Sequence, residues 1–188
     1  MHFLLIFGPP AVGKMSVGRS IERATGIRLF HNHMSIEPVL NFFPFGTPSF
    51  VRLVDGFRQR VFEEVAASDL PGLSFTFVWN LDSESDTRFA AAACELFRSR
   101  GAEIALVELK ADLEERLVRN RTPERLQEKA SKRNLEQSQA NLLDLERYRL
   151  NTAGDAPLAY PHHVFDTNGR TSQEVAEAVI ARLGLSKR

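Results

Sequence analysis

The stretch Gly8-Pro9-Pro10-Ala11-Val12-Gly13-Lys14-Met15-Ser16 limits the fold more than any other part of the chain. It follows a short apolar run, Phe3-Leu4-Leu5-Ile6-Phe7, and precedes Val17, Ile21 and Ala24 at helical spacing. Strand, glycine-rich turn and helix, in that order, are the context in which such a turn binds phosphate. Glycines at 8 and 13 let the backbone curl and aim its N–H groups inward, as a nest for phosphate oxygens. The helix opening near Gly13 adds the positive end of its dipole. Lys14 adds a point charge for the terminal phosphates. The pattern calls for a hydroxyl directly after the lysine, to ligate Mg²⁺. Met15 stands there, and Ser16 comes one residue later.

Composition narrows the setting. At 188 residues the chain suits one domain with a real core, and 43% apolar content is ordinary for a water-facing globule. The formal net charge of zero gives no support for a surface for long nucleic acid or membrane, and neither partner is expected. The single cysteine, Cys94, excludes a disulfide framework and reads as a buried small apolar residue. No signal peptide or spanning segment is legible, so the expected compartment is the cytoplasm.

Further along, residues 27–30 form a short strand that delivers His31-Asn32-His33 to its carboxyl end, where open α/β sheets bind ligands. His31 or His33 can hydrogen-bond an acceptor or take its proton. Residues 34–48, with three phenylalanines and three prolines, form a rigid, apolar and partly irregular segment. Residues 49–68 read as a helix with a stripe from Phe50 to Val65. Arg52 and Arg58 lie off that stripe and suit a carboxylate or phosphate on an acceptor. Residues 74–79 make the central strand, followed by Asn80 and Asp82. Asp82 fits either a metal-orienting or basic carboxylate or a charge at the start of the next helix. Another strand spans 103–109 and a fifth ends at Asp166, with helices between. Crossovers of this length argue for a parallel sheet covered on both faces. Thr122-Pro123 starts a polar helix bearing Arg125 after the short helix that carries Arg116 and Arg119.

On its phosphate loop, and more loosely over nearly its whole length, the sequence resembles the small P-loop kinases: adenylate kinase, shikimate kinase and gluconate kinase. In adenylate kinase the residue after the lysine is also not a hydroxyl, and a threonine follows it. The resemblance implies that Ser16 takes the hydroxyl role and that the metal is held largely through water. It implies a three-layer α/β/α fold, with about five parallel strands and a helical lid near 119–141. Residues 31–66 would hold the acceptor. ATP and Mg²⁺ would bind on residues 8–16. Arg116 would lie near the adenine or phosphates, and Arg121 or Arg125 would reach the transferring group. Asn168, Gly169 and Arg170 would touch adenine. The implied activity is transfer of the γ-phosphoryl group to a hydroxyl of a small molecule. The alternative is a regulatory nucleotide-binding protein with slow hydrolysis.

Overall fold

Strand β1 (His2–Phe7) is apolar from Phe3 to Phe7, and none of those five residues is more than 1% exposed. A strand buried on both faces belongs inside a parallel sheet. In the computed structural model, which describes residues 1–122 and 134–188, β1 is the middle strand. It pairs in parallel with β3 (Gly72–Phe77) on one side and β4 (Glu103–Lys110) on the other. β2 (Arg28–His31) flanks β3 and β5 (His162–Asp166) flanks β4, both also parallel. The resulting order, β2-β3-β1-β4-β5, brings all five carboxyl ends to one edge. The chain moves outward from β1 in both directions, which opens a crevice at that edge.

Helices cover both faces, and their ends follow local chemistry. α1 (Lys14–Thr25) stops at Gly26, whose left-handed conformation closes the last turn. α2 (His33–Leu40) and α3 (Pro48–Ala66) come next. Thr47 caps α3, and Pro48 sits in its first turn. Ser83 caps α4 (Glu84–Ser99) by accepting from the Asp86 N–H. α5 (Leu113–Arg119), α6 (Leu135–Asp144), a short 3₁₀ turn (Leu145–Arg147) and α7 (Ser172–Leu183) complete the described elements. A full Thr171–Glu174 capping box starts α7.

Alternation along the sheet divides the core. Phe3, Leu5, Phe7, Phe75 and Leu106 face α3 and α4, where Phe62, Cys94 and Phe97 meet them. Leu4, Ile6 and Val107 face α1 and α7 through Val17, Ile21, Val175 and Val179. Burial pushes the Cys94 thiol up to about 12, so it stays protonated as the small apolar residue expected of it.

Three local expectations need correction. Much of the segment read as irregular is helix α2, with Pro38 inside it. Packing of Ile36, Val39 and Leu40 against Phe50 and Val54 outweighs the bond that Pro38 cannot make. The strand expected at the centre over 74–79 is β3, which lies between β2 and β1 and ends at Phe77; the Trp79 indole beyond it is fully buried and donates to Thr87 Oγ1 at 3.1 Å. The spacing of Asp112 and Glu115 fits a capping pair, but Asp112 sits at the N-cap position of α5 without a side-chain capping bond. The helix expected from 122 onward, with Arg125, lies outside the described residues. No helix among the described residues is long and apolar enough to cross a membrane.

Candidate active site

The phosphate loop leaves the end of β1 under tight steric control. Gly8 has φ +135°, and a Cβ there would lie 2.3 Å from the Leu109 carbonyl oxygen. Both the conformation and the approach to β4 require glycine. Ala11 also has a positive φ, 60°, a strained conformation of the kind that clusters at ligand clamps. Gly13 begins α1 with no side-chain capping bond, so the first-turn N–H groups of α1 keep their capacity for an anion. Lys14 Nζ donates to the carbonyl oxygens of Gly8 at 2.5 Å and Pro9 at 2.7 Å. The ammonium is thus parked on the rim of the loop.

Two residues brace this loop from the far side of the sheet. Thr167, just past β5, places Oγ1 3.2 Å from Val12 O and 3.1 Å from Lys110 O. Arg119, at the end of α5, donates to Thr167 Oγ1 at 2.9 Å and Thr167 O at 2.6 Å. It also reaches Val12 O at 3.4 Å and pairs with Glu115 at 2.8 Å. A guanidinium is therefore tethered beside the phosphate loop.

A cleft of about 1120 Å³ runs from residues 10–16 to the end of β2 and the faces of α2 and α3. Arg58 is the centre of its far end. This buried guanidinium donates to Ser35 Oγ at 3.0 Å, Asn32 Oδ1 at 2.5 Å and Asp55 Oδ1 at 3.4 Å. It also lies over the rings of Phe89 and Phe75, at 5.5 and 5.8 Å. Burial lowers its pKa to about 10 against the opposing pull of Asp55, so it remains a cation at neutral pH. His33 lines the same end, with Nδ1 2.8 Å from Glu37 Oε1. Asp86, in the first turn of α4, lines the cleft while its Oδ2 accepts from the Asn80 N–H at 3.0 Å.

Several residues expected at the site stand elsewhere. Asp82 is exposed, pairs with Arg149 at 3.0 Å and does not line the cleft; the Asn80 side chain turns the chain there by accepting from the Asp82 N–H. Its carboxylate ties down the loop before β5 instead of facing the phosphate loop. Arg116 is buried in a bidentate pair with Glu146, at 2.8 and 2.7 Å, away from the cleft. Arg121 donates to Gln139 and Arg52 to Ser49, both at exposed positions off the cleft. His31 is buried and borders a second, smaller pocket beside Arg19 and Glu37. Asn168 accepts from the Asp112 N–H at 2.9 Å, and Gly169 turns with φ 60°. Of residues 168–170 only Arg170 lines the cleft. Pro10, Ala11, Val12, Gly13, Lys14, Met15, Ser16, His33 and Arg58 line it as well. Arg125 lies outside the described residues.

Sequence reasoning missed Asn32, Asp55, Asp86, Arg119 and Thr167 as site residues. Some carried a signal. Asp55 precedes Arg58 by three and Glu37 follows His33 by four, the spacings at which helical side chains meet. Thr167 carried none, because its role is set by the pairing of β4 with β5.

No protein-family model matches the sequence, and no curated protein resembles it closely enough to count as a relative. Solved structures do match. The shikimate kinase of Acinetobacter baumannii, in complex with shikimate, superposes with a TM-score of 0.59 at 17% identity, over 97% of this chain and 93% of that one. A gluconokinase from Sinorhizobium meliloti gives 0.57 at 16% identity, over 97% and 93%. The Mycobacterium tuberculosis APS kinase, in complex with AMPPNP and APS, gives 0.56 at 16% identity, over 97% of both chains. At such identities the likeness speaks for architecture, and on that measure this chain has the fold of the P-loop kinases.

Proposed function

We propose that the chain is an ATP-dependent phosphotransferase that moves the γ-phosphoryl group onto a hydroxyl of a small molecule. The observation that carries this reading is the shared cleft. A phosphate loop with an uncapped helix end opens at one side, and a buried guanidinium with polar partners closes the other. β2 is two strands from β1, a separation of about 10 Å at ordinary strand spacing. That is room for a phosphoryl group and a small acceptor between them. The kinases of like fold, crystallised with shikimate or with AMPPNP and APS, support a kinase reading at the coarse level.

In this reading Lys14 exchanges its carbonyl partners for the terminal phosphates. Arg119 compensates charge on the transferring group, and Arg170 borders the nucleotide. Arg121 and Arg125 belong to the proposed lid, 119–141. Ser16, exposed on the cleft wall, and Asp86 are the oxygen donors suited to Mg²⁺, which would neutralise phosphate charge there. Asn32 and Arg58 orient the acceptor. Its oxygen attacks the γ-phosphorus, the bond to the β-phosphate oxygen breaks, and His33, steadied by Glu37, receives the proton. Such catalysis is mostly positioning and charge stabilisation.

The test is ADP release with and without candidate hydroxyl acceptors. We expect acceptor-dependent release well above basal hydrolysis, lost in Lys14→Ala. Met15, in place of the usual hydroxyl, favours one other reading, a regulatory nucleotide-binding protein. Slow hydrolysis that no acceptor accelerates would decide for it.

A further inference from the structure

The acceptor end of the cleft is walled by apolar side chains. Ile36 and Leu40 come from α2, Phe45 from the connecting loop, and Phe50, Val51 and Val54 from α3. Phe45 and Phe50 pack together with ring centroids 4.9 Å apart. Yet Phe45 remains 72% exposed and Val51 44% exposed. Of the exposed large apolar residues among the described ones, Phe45 and Val51 line this cleft. Together with the buried side chains behind them they leave an apolar wall open beside a polar anchor.

The polar groups at the same end are largely committed to one another. Arg58 donates to Asn32, Ser35 and Asp55, and His33 meets Glu37. A polyhydroxylated acceptor would lose water from each hydroxyl against this wall, with few protein partners to replace it. An apolar body gains from the same wall by releasing water from both surfaces.

We infer that the acceptor is an amphiphilic alcohol, with a hydrophobic ring or chain against the α2–α3 wall and one polar end at Asn32 and Arg58. This inference rests on the phosphotransferase reading and names its substrate class. In the step, the alcohol oxygen bonds to the γ-phosphorus, the bond to the β-phosphate oxygen breaks to release ADP, and the hydroxyl proton passes to His33. The product is a phosphate monoester.

The experiment uses the full chain with Mg²⁺-ATP and three probes: 4-phenylbutan-1-ol, shikimate and gluconate. ADP release is followed enzymatically, and the ester is identified by phosphorus NMR. We expect kcat/KM for 4-phenylbutan-1-ol to exceed that for either polyol at least tenfold. Phe45→Ser and Val51→Ser, at exposed positions where folding is little affected, should raise its KM at least fivefold and leave the KM for ATP unchanged. Faster turnover of shikimate or gluconate would overturn the amphiphile and leave the phosphotransferase standing. An unchanged KM in both variants would also overturn it. If no probe raises ADP release although ATP binds, the phosphotransferase reading fails, and the amphiphile with it.

Discussion

At the scale of single residues, the two carboxylates after β3 separate position in sequence from position in space. Asp82 lies closer to the strand end, but its charge is spent on Arg149 in solvent. Asp86 lies four residues later, yet the first turn of α4 brings its side chain back over the cleft. Substitution should tell them apart. Asp86→Asn removes a carboxylate from the cleft wall and, on the phosphotransferase reading, should lower the rate of nucleotide turnover by about 10²-fold, as loss of a positioned charge does. Asp82→Asn should change that rate less than about twofold, because exposed ion pairs contribute little. Steady-state ADP release at saturating Mg²⁺-ATP measures both, and equal losses in the two variants would contradict the assignment.

At the scale of elements, the loop between the 3₁₀ turn and β5 is anchored by one buried carboxylate. Glu108 of β4 is wholly buried and accepts from Asn151 Nδ2 at 2.9 Å, Thr152 N–H at 2.8 Å and Thr152 Oγ1 at 2.6 Å. His162 Nε2 lies 2.8 Å away and Lys110 Nζ 3.5 Å away. Burial pushes this carboxyl up, but the bonds from Thr152 and Asn151 outweigh it and hold the carboxyl below its ordinary 4.5. A depressed folded-state value means stability that is present above about pH 4.5 and lost as the pH falls through the folded value. Glu108→Gln keeps the shape but loses the charge, and should cost about 2–3 kcal/mol at neutral pH. The corresponding fall in Tm is roughly 5–10 °C. The gap between wild type and variant should narrow as the pH drops below about 4.5, which thermal scans from acid to neutral pH would read. A gap that holds constant into acid would remove the carboxylate from this account. This anchor was not legible in the sequence. A lone glutamate in an apolar strand carries no sign of the loop that satisfies it, since Thr152 is far along the chain. Capped elements were legible for the opposite reason: Thr171 and Glu174 interact across three residues. α2 was obscured because Pro38 and the following aromatics read as breaks, while the packing that sustains the helix comes from α3.

At the scale of the whole molecule, parallel pairing explains why so much of the site follows from one loop. With every strand running the same way, the ends of β1, β2, β3 and β5 meet at one edge. The phosphate loop, Asn32, Asp86 and Thr167 are thereby brought to a common region without local contact in sequence. The loop itself was readable because strand, turn and helix are contiguous. Arg119 and Asn32 were not, because their places depend on strand order. The same connectivity predicts how the molecule responds to nucleotide. Phosphates seated on α1 would engage Lys14 and Arg119, which hold the chain at positions more than a hundred residues apart. Binding should therefore register as global stability. At about a hundred times its Kd, Mg²⁺-ATP should add roughly 2.7 kcal/mol, and Tm should rise by about 5–10 °C for a chain of this size. Lys14→Ala removes the ammonium and its bonds to Gly8 and Pro9, so its own Tm falls slightly while most of the nucleotide-dependent rise disappears. Thermal unfolding of both proteins with and without Mg²⁺-ATP gives four transitions, and the difference between the two shifts isolates the lysine from its effect on the empty loop. Equal shifts would mean that nucleotide binds away from this loop and that residues 8–16 are not its phosphate site.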